Sequence, residues 1–424
     1  MAEELPPFPS LTVRVIKSSG PILMTWMGSH KDTSASELMK ADSADRAEVF
    51  RRQSAGHTAF VPAPFPPADL HLDSLHALLE RATLALGRLV GSAEILPDPD
   101  LFVYMYVRRE AVLSSQIEGT EASLVDLLEY EAETEKAERR VDVQEITNYI
   151  AALRYGLERV HELPLSLRLV REIHERLMTG VRGGEAAKKP GEFRRSQNWI
   201  GGPTPETARY VPPPVEEMHR CLHELELFLH DDSELPTLVR VGLSHAHFET
   251  IHPFLDGNGR VGRLLITFLL VQEEILREPI LYLSIFLKRH RQDYYDRLQA
   301  IREKGDWEGW LAFFLEGVAA VSTEATATAR AIVRLREEER VRIGQELGRR
   351  AASGLELLEY LFRNPVVSVK RVEEVTGLSQ PAANALTNAL EEVGVLREMT
   401  GRKTYRIFGF DRYLQLFQER EVRT

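Results

Sequence analysis

Thirteen consecutive residues concentrate the chemistry of this chain: Ile251-His252-Pro253-Phe254-Leu255-Asp256-Gly257-Asn258-Gly259-Arg260-Val261-Gly262-Arg263. Gly257 and Gly259 flank Asn258, residue types that tolerate positive φ, so successive backbone N–H groups can converge on an anion. A helix that begins at once behind them turns its positive dipole end to the same spot, which suits a phosphate. Arg260 and Arg263, three apart on that first turn, can fork onto phosphate oxygens. Asp256 offers one hard oxygen, the donor that Mg²⁺ takes when nucleotide phosphates complete its shell. His252 is of the residue type that ordinarily titrates near neutral pH and could take the proton of an attacking hydroxyl. Base, metal ligand, anion cradle and two cations therefore lie within a dozen residues, a set suited to phosphate chemistry.

The elements that must position this turn are helical. Pro236 opens a helix with Leu238, Val241, His245 and Phe248 on one face, and Pro253 ends it; Val261, Leu264, Leu265, Phe268 and Leu269 then restart a strongly amphipathic one. Upstream, helical spacing runs from Leu70 to about Leu163, and a second helical block from Leu165 to Leu229 is interrupted between Gly180 and Pro214 by glycine, proline and polar residues. That interruption contains Gln197 to Gly202 and Arg209-Tyr210-Val211, which read as a small β flap. An exposed edge there could align a target by strand addition, through Trp199, Ile200, Tyr210 and Val211; a structural loop held by Trp199 and Tyr210 is the equal alternative. His245 and His247 stand two apart on a helix and so share no face, which argues against zinc. Tyr294 and Tyr295 either border a nucleotide base or belong to the core.

Composition sets the frame. The chain has 424 residues, 43% of them hydrophobic, enough for two or three domains. Acids outnumber bases 64 to 53, giving a net charge of −11, so there is no chain-wide basic field for nucleic acid. A single cysteine, Cys221, excludes an intramolecular disulfide and a four-cysteine metal site, and fits the reducing cytoplasm. No apolar run approaches the roughly 20 residues that span a bilayer, and no export signal is read, so no membrane partner is expected. The expected division is an irregular extension (1–45), a helical N-terminal domain (46–163), a core (164–320), a solvated connector helix (321–352), a winged helix (353–410) and a tail (411–424). In the winged helix, Gln380, Asn384, Thr387 and Asn388 would face base edges and Lys370, Arg371, Arg402 and Lys403 would meet phosphates. Its charges roughly cancel, so dimerisation or protein recognition suits it as well as DNA does.

The turn from His252 to Arg263 carries every specified position of the signature His-x-Phe-x-(Asp/Glu)-Gly-Asn-Gly-Arg-x-x-Arg, and the chain resembles the Fic family over roughly residues 55 to 320, including Ser115 to Thr120, Gln197 to Gly202 and Tyr294 through Trp310. The resemblance implies a mainly α fold, a Fic-type helical bundle with a β-hairpin flap. It implies an enzyme that moves AMP from ATP onto a Ser, Thr or Tyr hydroxyl of a protein target, itself included, with pyrophosphate released and Mg²⁺ required. It casts His252 as general base, Asp256 as Mg²⁺ ligand, Gly257, Asn258 and Gly259 as anion nest, Arg260 as phosphate grip, Arg263 as orienter of the γ-phosphate and Phe254 as anchor. Ser114-Ser115-Gln116-Ile117-Glu118-Gly119 is similar to the family's inhibitory motif, (Ser/Thr)-x-x-x-Glu-(Gly/Asn), which implies that Glu118 pairs with Arg263 and denies it to ATP. Relatives also use this glutamate to remove AMP. The rival expectation is a winged-helix DNA-binding regulator whose helical part senses a nucleotide.

Overall fold

The structure, a computed structural model, describes residues 49–53, 56–94, 100–132, 141–181, 189–231, 234–401 and 405–417. The expectations for residues 1–45 and for Arg402 and Lys403 lie outside the described residues. A short hairpin comes first, β1 (Val49–Arg52) antiparallel to β2 (Thr58–Val61). Helices follow: α1 (His76–Glu94), α2 (Asp100–Ile117), α3 (Leu124–Ala132), α4 (Val141–Glu162), α5 (Leu167–Met178), α6 (Val215–Leu229), α7 (Thr237–Ile251), α8 (Asn258–Gln272), α9 (Ser284–Arg289), α10 (Arg291–Lys304) and α11 (Trp307–Glu346). None of the described helices is long and apolar enough to cross a membrane.

At the centre stand α7 and α8, packed against each other. Residues 258 to 271 of α8 are all buried. Its sequence is apolar around nearly the whole circumference, the pattern of a helix enclosed by neighbours rather than floating at a surface. Close approach on one side depends on Gly156 of α4: a Cβ there would stand 2.2 Å from the Phe268 ring of α8. The turn between α7 and α8 is thus held between two immobilised cylinders.

Residues 324–350, expected as a solvated connector, behave otherwise. A single helix, α11, continues through Glu346 and packs along α1, burying Ala325, Ala329, Ile332, Leu335 and Ile343. From Ala325 to Leu335 those residues recur at three- and four-residue steps, and Ile343 continues the same face two turns on, so the abundant Arg and Glu lie mostly on the other faces.

The C-terminal unit comprises α12 (Ala351–Arg363), β3 (Val366–Ser368), α13 (Val369–Thr376), α14 (Gln380–Glu392), β4 (Arg397–Glu398), β5 (Ile407–Gly409) and the short α15 (Asp411–Leu414). Its antiparallel sheet has the order β3-β5-β4, which with α12 to α14 makes the winged helix. Ser368 caps α13 through the Arg371 N–H, and Gly377, with φ of +64°, ends it. Thr387 does not face outward with the other expected base readers. It is fully buried and its hydroxyl donates to the Ala383 carbonyl, because positions 383, 386, 387 and 390 form the apolar stripe of α14. Asn388 accepts from Arg406 at 2.9 Å, so a basic side chain from the wing already lies over this helix.

This unit rests directly on α2. Tyr106 of α2 meets Phe417 edge to face at 5.5 Å between centroids, and Phe417 in turn meets Tyr413 at 5.2 Å. Arg412 pairs with Glu338 and with the buried Glu339 of α11, tying the same corner to the long helix.

Candidate active site

The site begins where α7 stops. His252 is its C-cap, in the left-handed region with φ of 48°, and Pro253 forbids continuation. Segment 194–198 fixes this unusual backbone: Arg194 Nε and Asn198 Nδ2 both donate to the His252 carbonyl, at 3.1 and 3.2 Å, and the Arg194 N–H donates to the Pro253 carbonyl at 2.8 Å. Phe254, fully buried, stacks on His174 at 3.7 Å with the rings nearly parallel. His174 accepts from the Gly191 N–H at 2.9 Å through Nδ1, so its Nε2 donates to the Asp256 carbonyl at 3.0 Å. Burial pushes His174 down to about 4, which keeps it neutral for that role.

Asn258 works as a clamp. Its Oδ1 accepts from the Phe254 N–H at 2.8 Å and its Nδ2 donates to the Phe254 carbonyl at 2.9 Å, closing the loop on itself. Gly257, with φ of 79°, starts α8. Asn258→Ala strands the buried Phe254 N–H, while the Phe254 carbonyl keeps Asn198 Nδ2 at 2.8 Å, and we expect it to lower unfolding free energy by about 1–3 kcal/mol in urea titrations. A loss under about 0.5 kcal/mol would remove the clamp from the account.

The two arginines reach different helices. Arg260 Nη1 stands 3.6 Å from Glu145 of α4 and its Nη2 lies 3.5 Å from Met178 Sδ of α5; 4.0 Å separates it from Asp256. Arg263 turns to α2: Nε donates to Ser114 Oγ at 2.8 Å, and Nη2 donates to the Ser114 carbonyl at 2.9 Å and to Glu118 Oε1 at 2.7 Å. Burial works against the Arg263 charge, yet the Glu118 carboxylate beside it carries its pKa above the ordinary arginine range. Gly119, with φ of 99°, turns the chain immediately after Glu118. Gly259 makes the contact feasible from the other side, because a Cβ there would overlap Glu118 Oε1.

His252 itself keeps 18% side-chain exposure, and its Nδ1 makes no hydrogen bond of good geometry. Burial, then the charges of Arg302 and Arg194, press its pKa down to about 3, so the imidazole is neutral and able to accept a proton. The Asp256 carboxylate is 42% exposed and accepts from the Gly257 N–H at 2.6 Å.

The flap residues are where they were expected, as a minimal ribbon. Ile200 and Tyr210 exchange both backbone hydrogen bonds at 2.9 and 3.1 Å, and the Val211 carbonyl accepts from Phe60 of β2 at 3.0 Å, so the flap extends the β1–β2 hairpin. Trp199 is 40% exposed, while Tyr210 is buried and donates to the Thr250 carbonyl at 2.6 Å. Tyr294 is a core residue bonded to His245, which in turn bonds the Gly262 carbonyl; His247 stacks on Phe65.

Reading the sequence did not single out Glu249, Arg194 or His174. Glu249 sits three residues before His252 on α7, a one-turn spacing that was visible in principle. Arg194 and His174 lie about 60 and 80 residues from the turn, and nothing local marks them.

A helix pair joined by a Gly-Asn-Gly turn, a left-handed histidine at one side of it and a clamped arginine at the other define a Fic-type architecture. Residues 76–158 match the Fic/DOC family N-terminal domain, residues 164–270 the Fic/DOC family domain and residues 355–410 an HTH DNA binding domain. Residues 76–158 and 164–270 are thus similar to the two Fic/DOC domains in tandem. It is 32% identical over 154 residues to a protein from Aedes aegypti named protein adenylyltransferase Fic, covering 36% of this chain and 27% of that one. The protein of the same name from Culex quinquefasciatus is 34% identical over 154 residues, with the same coverage of 36% and 27%. The chain thus spans about a quarter of the length of these relatives. A Fic family protein from Desulfovibrio desulfuricans G20 shares the fold with a TM-score of 0.52 at 18% identity, over 81% of this chain and 98% of that one.

Proposed function

We propose that this chain is a protein adenylyltransferase that moves AMP from ATP to a Ser, Thr or Tyr hydroxyl of a protein, its own included, and that the arrangement described is its braked state. The observation that carries this reading is the Glu118–Arg263–Ser114 clamp in the same site as a neutral His252 whose Nδ1 makes no hydrogen bond of good geometry. The names of the relatives from Aedes and Culex support it.

In this reading the hydroxyl oxygen attacks the α-phosphorus, the bond to pyrophosphate breaks, and the hydroxyl proton goes to His252. The start of α8, at Asn258 and Gly259 behind the Gly257 turn, offers N–H groups to the phosphates, and Arg260 and Arg263 neutralise them. Asp256 fits a cation that nucleotide oxygens complete: it is partly exposed and, among the described residues, no group of three acids, histidines or cysteines could cage a metal alone. Bound there, Mg²⁺ would supply charge neutralisation of the triphosphate. The Ile200–Tyr210 ribbon presents Trp199 beside the turn as a strand-addition edge for the target. Mass spectrometry after incubation with ATP and Mg²⁺ tests the proposal; an added adenylyl group supports it, and a phosphoryl group overturns it in favour of a kinase.

A second reading concerns the C-terminal unit alone, and the match of residues 355–410 to an HTH DNA binding domain favours it. In it the exposed side of α14, with Gln380 and Asn388, meets DNA, with Arg406 at the backbone. Fluorescence anisotropy of labelled duplex DNA is then expected to show binding that weakens steeply between about 50 and 200 mM salt. No change in anisotropy at either salt concentration would leave the unit as a protein-recognition or dimerisation module.

A further inference from the structure

A base whose protonated form is disfavoured by its surroundings presents a problem that the site must solve. His252 has to become an imidazolium for an instant, in a pocket where Arg302 and Arg194 oppose that charge. One carboxyl group stands near the buried nitrogen of the ring. Glu249 Oε2 lies 3.9 Å from His252 Nδ1, its Oε1 has no hydrogen-bond partner, and its side chain is only 8% exposed. The space is made for it: Gly262 of α8 faces Glu249, and a Cβ there would overlap Oε1. A buried acid with an unbonded oxygen, next to an imidazole whose buried Nδ1 makes no hydrogen bond of good geometry, is an expensive arrangement for stability alone.

We propose that Glu249 is a positioning residue for His252: as Nε2 accepts the hydroxyl proton, Nδ1–H closes onto the Glu249 carboxylate, which fixes the tautomer and offsets the imidazolium charge. No proton passes to Glu249; it leaves His252 later by way of the exposed Nε2 side. The inference rests on the adenylyl-transfer reading. The groups facing Glu249 are Arg263 from α8, Glu118 from the end of α2, Tyr294 and Arg302 from α10, the latter's Nη2 donating to the Glu249 carbonyl at 3.3 Å, and His252 from the turn; Asp256 and Arg194 also face His252. The Glu249 backbone carbonyl also faces the ring and raises the His252 pKa. Burial pushes the Glu249 carboxyl up to about 7, Arg263 draws it down and Glu118 raises it, so removing Glu118 favours the ionised form that the step requires.

The test is full-length Glu118→Gly protein with and without Glu249→Gln, followed by labelling with radioactive ATP across pH 5.5 to 8.5. We expect the glutamine to cut kcat by about tenfold to a hundredfold with KM for ATP unchanged within about twofold, and to remove the rise of kcat with pH at or below about 7. Glu249→Asp should recover that rise in part, which a packing role alone would not produce. Unchanged kcat and an unchanged pH profile in Glu249→Gln overturn the inference. Should the glutamine variant fail to melt cooperatively, Glu249→Asp decides alone: lower kcat with a retained acid limb supports the role, and wild-type kcat ends it. Labelling that survives His252→Ala in the same background overturns the adenylyl-transfer reading instead, so the two failures are distinct.

Discussion

Replacing Glu118 by glycine is expected to raise self-labelling with ATP at least about tenfold, since a hydrogen bond to a charged partner is worth about 1.5–3 kcal/mol and the carboxylate competes with phosphate for one guanidinium. Glu118 is 36% exposed, which places the gain toward the lower end of that range. Arg263 would keep both Ser114 contacts, so its guanidinium stays poised on α8 when the carboxylate leaves. The competition is intramolecular: Glu118 follows α2, which is seated in the core, and its effective concentration at Arg263 is high. Initial rates of adenylyl incorporation check this, and rates equal to those of the unaltered chain would dismiss the brake.

In that released background, His252→Ala is expected to lower kcat by about 10²–10⁴ while the affinity for ATP changes little. The imidazole has no well-formed hydrogen bond to lose and the strained backbone beneath it is held by Arg194 and Asn198, so the substitution should leave the melting midpoint nearly unmoved. Chemistry and folding are therefore separable at this position. Isothermal titration with ATP, beside the labelling assay, distinguishes a lost base from a lost binding site: a matching collapse of affinity would show that the ring serves binding rather than proton transfer.

Much of the site was legible because it is local. The turn from His252 to Arg263 lies within a dozen residues, and the physical demands of an anion cradle are written in its residue types; Ser114 to Glu118 stood out only by its similarity to the family's inhibitory motif. The structure adds the joint between them, Arg263 to Glu118 at 2.7 Å across 145 residues of chain. What stayed hidden was tertiary. His174 is an ordinary histidine on a helix until Phe254 stacks on it and the Asp256 carbonyl meets it. Thr387 reads as a polar surface residue until the stripe of Ala383, Leu386 and Leu390 shows it turned inward. The charge-rich composition of residues 324–350 masked an apolar face of small residues that only the neighbouring α1 reveals.

Gly259 binds the fate of two properties together. Its missing side chain leaves room for the Glu118 carboxylate, and the same bare backbone is what the cradle offers to a triphosphate. A methyl at this position would evict the inhibitor and crowd the substrate at once, so drift there has no path that retunes one without damaging the other. Evolutionary adjustment of the off state is therefore steered to the distant end of the pair, around residues 114–119, where a change can alter vigilance and leave the catalytic bend untouched.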